Sequence, residues 1–168
     1  IFEKKIPFRI LREDEIKPYI NSIPLVDISA AAGNFSDLQS HSQSTWIEPP
    51  FNISARRGFF VCKVIGESMN KRIPNGSYCL FKPDEGGSRN GKIVLVQSTS
   101  INDSEFGSGY TVKEYHSTKN MSGEVWRHES VTLKPLSTSD EFEDIIISED
   151  DLSDFQVVGI FDRVIHDI

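Results

Sequence analysis

Ser68 lies in Gly66-Glu67-Ser68-Met69, directly after the apolar run Phe59 to Ile65. A serine on a tight turn leaving a buried strand projects its hydroxyl clear of the sheet, beside backbone N–H groups that can bind an oxyanion. The hydroxyl is a poor nucleophile until a base takes its proton. His41, His116, His128 and His166 give no Ser/His/Asp order or spacing, so lysine is the alternative base. Lys113, in the middle of YTVKEY, is the candidate. It can act only when neutral, which demands burial that pulls its pKa down from about 10.4. Turned inward, it shares a strand face with Thr111 and Tyr115. Taken singly, neither residue is diagnostic: serine is common in turns, and a mid-strand lysine on a half-exposed sheet points to water.

Other chemistries find less support. The histidines are scattered, and Cys62 and Cys79 have no CxxC partner, so no metal site is expected. Glu149, Asp150, Asp151 and Asp154 lack the alternating ligands and closing glutamate of a calcium loop and read as solvated charge. Gly86 to Lys92 fits GxxxxGK, but Ile93 stands where a phosphate-binding loop needs Ser or Thr, and a strand follows instead of a helix. No cofactor is expected.

The elements that must position Ser68 and Lys113 are short strands. Residues 1–22 read as an arm or linker, with at most a helical turn or two before Pro18. Ile23 to Ile28 reads as a strand, and the small, polar residues from about 29 to 45 as a long exposed loop. Phe59–Ile65, Ser77–Lys82, Lys92–Gln97, Tyr110–Tyr115, Val125–Leu133, Phe142–Ile147 and Phe155–Val164 are further strand-like runs between turn residues. Asn75-Gly76 and Asn90-Gly91 mark turns, and SINDSEFGSG an insertion-like hairpin. Ile93 and Leu95 fall on one strand face and Val94 and Val96 on the other, so both faces are expected to be covered. The fold class is mostly β, with antiparallel strands and little helix.

The 168 residues suit one domain, assigned to 23–168, plus the arm. A net charge of −7 disfavours a surface that neutralises phosphates, and the Arg56/Arg57 and Lys71/Arg72 pairs are too short to overturn that. Both cysteines sit in apolar runs and read as free, buried thiols of a reducing compartment. Without a spanning apolar stretch or a secretory signal, the chain reads as cytoplasmic and free of membrane. Ile1 in place of methionine suggests a processed product or a piece of a longer polypeptide.

In their order, IPLVDISAAAG, GESM after FFVCKVI, IPNGSYCLFK, RNGKIVLV, YTVKEY, LKPLS and FQVVGIF resemble the LexA-like (S24) self-cleaving serine peptidases, over roughly Ile23 to Val164. That family includes LexA, the lambda-type phage repressors and the UmuD proteins. The resemblance implies a β-rich domain of the LexA and signal-peptidase kind, with Ser68 as nucleophile and Lys113 as general base. The backbone N–H groups of Glu67 and Ser68 would form the oxyanion site. It further implies Ala32/Gly33 as the bond cut in the chain's own loop, a homodimer, a RecA-type activator, and a switch in the DNA-damage (SOS) or stress response. The helix-turn-helix of LexA and the repressors has no counterpart here, so direct nucleic-acid binding is not implied. Two other readings stand beside it: a non-cleaving dimerisation or partner-binding module on the same fold, and hydrolysis of other polypeptides as in leader peptidases.

Overall fold

The computed structural model describes residues 6–28, 45–50, 52–103, 107–122 and 125–166. Nine strands join in one sheet: β1 (Ile23–Val26), β2 (Thr45–Ile47), β3 (Phe60–Val64), β4 (Ser77–Lys82), β5 (Ile93–Asp103), β6 (Gly107–Ser122), β7 (Val125–Lys134), β8 (Ile145–Ile147) and β9 (Gln156–Val164). Their order is β2-β1-β3-β4-β9-β5-β6-β7-β8. Every neighbouring pair is antiparallel except β1 and β3, which run parallel with Leu25 opposite Val61 and Val26 opposite Cys62. Helix among the described residues amounts to the 3-10 turns Glu13–Glu15 and Glu149–Asp151 and a 3-10 residue at Ile28. The mostly β architecture read from the sequence is therefore the observed one.

Alternation along β5 explains how one sheet supports two cores. Ile93 and Leu95 pack with Phe60, Cys62, Phe81, Tyr110 and Val112 on one side. Val94 and Val96 pack with Tyr115, Val131, Leu133 and Ile160 on the other. A third cluster, with Ile23, Ile47, Val61 and Leu80, closes the β1–β2 end. Strands covered on both faces carry apolar residues at successive positions, as FVCKV and IVLV do.

The strand bounds differ from expectation in instructive places. β5 continues to Asp103 and β6 starts at Gly107, so the described residues of SINDSEFGSG, 100–103 and 107–109, belong to the two strands themselves. β2 was not expected: its three residues follow a polar stretch, and only the burial of Trp46 and Ile47 gives it a face. Phe142 to Asp144, expected as strand, precede the short β8. Asp154 was read as solvated charge. Though exposed, it accepts hydrogen bonds from Ser98 Oγ (3.0 Å), Thr99 N (2.9 Å) and Thr99 Oγ1. The Thr99 hydroxyl and amide hold its carboxyl below the usual range, with Ser98 adding to them.

Gly159 on β9 sits where a β-carbon would come within 2.7 Å of Phe60 Cζ and 3.1 Å of Phe81 Cβ, both on buried residues. Gly159→Ala should therefore destabilise the domain by about 1–3 kcal/mol, read as a lower thermal midpoint.

Cys62 and Cys79 are free, buried and directly opposite each other on β3 and β4. Burial pushes both thiols up, Cys79 to about 12, and the neighbouring Cys79 adds to the rise at Cys62. An unfolded thiol ionises near pH 8.5 while these stay protonated, so their contribution to stability is complete below that pH and declines above it. Thiolate ultraviolet absorbance should be absent from the folded protein at about pH 10 and present once denaturant is added.

Candidate catalytic site

The β3–β4 connection carries Ser68. Gly76 closes it with φ +82° and an N–H that donates to Val64 O at 2.8 Å. Across its base the Gly66 N–H donates to Asn75 Oδ1 at 2.8 Å, and Gly66 itself has φ +113°, which favours glycine. Met69 and Ile73 anchor the turn in the core. Burying both apolar side chains fixes the backbone between them, and Ser68 remains only partly covered.

A second segment, residues 134–138, braces this turn from outside. Leu136 N donates to Ser68 O (2.9 Å) and Lys71 N to Leu136 O (3.0 Å). Ser137 Oγ donates to Glu67 O at 2.8 Å. Asn70 and Thr138 exchange two hydrogen bonds, Nδ2 to Oγ1 at 3.0 Å and Thr138 N to Oδ1 at 2.9 Å. The Ser68 N–H donates to none of the described residues. LKPLS thus has a local task, to hold the serine turn at a fixed height.

Lys113 lies on β6 opposite Val94 of β5 and is 4% exposed. Alternation on a half-exposed sheet would have sent it to water. Between Tyr110 and Tyr115 both faces of β6 are covered, with Tyr110 and Val112 in one cluster and Tyr115 in the other. Nζ donates to Ser68 Oγ at 2.8 Å, to Thr111 Oγ1 at 2.8 Å and to Val112 O at 3.1 Å. Three acceptors match the three protons of an ammonium group.

One charged neighbour went unnoticed in the sequence. Asp103 Oδ2 lies 3.5 Å from Lys113 Nζ and accepts from Thr111 Oγ1 at 2.7 Å. Between the pairs Gln97↔Tyr110 and Asn102↔Ser108, β5 advances five residues while β6 advances two. Beyond this irregularity Asp103 accepts from Thr111 although its ladder partner is Gly107. The alternation that buries Ile101 puts Asp103 on the same side and was the available signal.

Ala32 and Gly33 lie outside the described residues. Their point of departure is defined, because β1 runs parallel to β3 toward the serine turn. β1 ends at Val26, and Ile28 beyond it is buried in the same cluster as Val64. A cavity of about 310 Å³ opens there, lined by Val26, Ile28, Ile65 and Tyr78 among others, beside the serine turn and not over it.

The candidate nucleotide loop is a turn, with Gly86, Gly87 and Gly91 at positive φ and β5 directly after it. No group of metal-binding side chains occurs among the described residues. Nor is any described helix long and apolar enough to cross a membrane.

A mostly β domain that presses a shielded lysine amine against a turn serine has the make-up of a peptidase-type fold. The family model described as Peptidase S24-like matches residues 24–161. The chain belongs to that family. No individual curated protein matched it in a sequence comparison.

Asn70→Ala would delete both bonds to Thr138 and loosen the serine turn. The expected cost is about 1 kcal/mol in denaturant unfolding, with faster amide exchange at residues 67–71 than at the centre of β4.

Proposed function

We propose that this domain is a self-cleaving serine peptidase in which Ser68 is the nucleophile, Lys113 the general base and Ala32/Gly33 the bond cut, the cut serving as a regulatory switch. The observation that carries the reading is the 2.8 Å contact between Lys113 Nζ and Ser68 Oγ, made by an amine removed from solvent. Burial favours the neutral amine, the only form with a lone pair for the serine proton.

The loop can reach. Ser68 lies four residues beyond Val64 at the end of β3, and Ala32 lies four beyond the buried Ile28, each span being at most about 14 Å of extended chain. Tethering makes the attack unimolecular, and a small Ala32 followed by glycine suits close approach to the turn.

Ser68 Oγ bonds to the carbonyl carbon of Ala32 as its proton passes to neutral Lys113, and the carbonyl oxygen becomes an oxyanion facing the N–H groups of Glu67 and Ser68. Collapse breaks the bond to Gly33, whose nitrogen takes the proton back from Lys113. Water, deprotonated by the same amine, then frees the Ala32 carboxylate and restores Ser68.

Incubated at about pH 9–10, where lysine loses its proton, the chain should yield a new N-terminus at Gly33 in a first-order reaction independent of protein concentration. Ser68→Ala and Lys113→Ala should each abolish the cut. An intact chain at every pH, together with a stable dimer by light scattering, would point to a binding module. A rate that rises with concentration would point to cleavage in trans.

A further inference from the structure

We propose that Asp103 is a positioning residue that holds Lys113 in its ammonium form in the resting protein and so sets the pH at which cleavage begins. The inference rests on the self-cleavage reading and deepens it. Its basis is a closed triangle. Thr111 Oγ1 accepts from Lys113 Nζ and donates to Asp103 Oδ2, and that oxygen lies 3.5 Å from the amine. The side chains of Lys113 and Asp103 are 5% and 15% exposed, so solvent screens the pair weakly.

Two effects compete on the amine. Burial favours loss of its proton, while an opposite charge within a few ångströms favours retention. The groups that face the amine decide between them. From β5 comes Asp103. The serine turn brings the Ser68 hydroxyl, and the neighbouring Glu67 carboxylate accepts from Asn70 at 3.1 Å. β6 itself brings Thr111 Oγ1 and Val112 O, and its Glu114 pairs with His116 at 2.6 Å. The segment after β7 supplies Leu136 and Ser137, which are uncharged and engaged with the serine turn. From the approach to β9, Asp154 is held on Ser98 and Thr99. Among the described residues, Asp103 is a carboxylate that the fold places within 4 Å of the amine.

An ammonium group has no lone pair, so it cannot accept the Ser68 proton until its own is lost. The carboxylate raises the pH at which that loss occurs. It belongs to the β5–β6 hairpin and not to Ser68 or the loop to be cut, so the ionisation of the base can be altered without touching the nucleophile.

The test compares the parent with Asp103→Asn and Asp103→Glu. Lys113 is titrated by nuclear magnetic resonance of isotope-labelled lysine ε-carbons in a Ser68→Ala background, which keeps the chain whole. Self-cleavage is followed against pH with Ser68 intact. Asp103→Asn should lower the titration midpoint by about one pH unit or more, and cleavage below the parental midpoint should quicken about tenfold per unit. Asp103→Glu should stay near the parent. Asp103→Ser, which keeps an acceptor for Thr111, should repeat the downward shift and serves if the asparagine variant does not fold. An unchanged or higher midpoint in the folded neutral variants overturns the proposal. If the parent never cleaves, the proposed function fails while the lysine titration still decides the role of Asp103.

Discussion

The structure depends on one constraint: a primary amine has been taken out of water and must be satisfied by protein groups alone. A buried ammonium or amine without partners is costly, and Lys113 meets that cost with a serine hydroxyl, a threonine hydroxyl, a backbone carbonyl and a nearby carboxylate. Each partner comes from a different structural decision. The serine requires the β3–β4 connection to project at one height, the threonine requires the two-residue period of β6, and the carboxylate requires the register irregularity of β5.

Those decisions are linked through the sheet. β5 and β6 carry side chains into two cores at once, so neither strand can shift register without exposing one set and burying the other. The same rigidity fixes Lys113 along its strand. The serine turn is stiffened separately, by Met69 and Ile73 from beneath and by residues 136–138 from the side. The contact between Ser68 and Lys113 is thereby held between two supports built independently of each other, which is the arrangement that preorganisation of a site calls for.

How much of this could be read from the chain differs by residue. Ser68 and Lys113 were singled out by the order of the motifs and the family resemblance, since each alone is ordinary for its place, and their side chains do meet. The strand alternation of IVLV likewise announced a sheet covered on both sides. The side Asp103 takes was legible by alternation with Ile101, but its partnership was not, because that depends on three surplus residues in β5, and a bulge leaves no periodic mark in sequence. β2 escaped for a simpler reason: three residues are too few to display a period, and its pairing with β1 is decided by contacts across a loop. The brace from residues 136–138 rests on side-chain and backbone bonds between segments some 68 positions apart, which local reading cannot supply.

The parallel pairing of β1 with β3 carries a consequence for what a broken chain would be. Between Ile28 and Thr45 the backbone can be severed without disturbing the ladders that join β1 to β2 and β3, and Ile23, Val26 and Ile28 stay buried in the cores they help to form. A nick there changes the order of the association and not its contacts. Two segments that meet at the effective concentration of a single polypeptide become partners whose union obeys mass action, and dilution, competition or mechanical pull then decides how long they stay together.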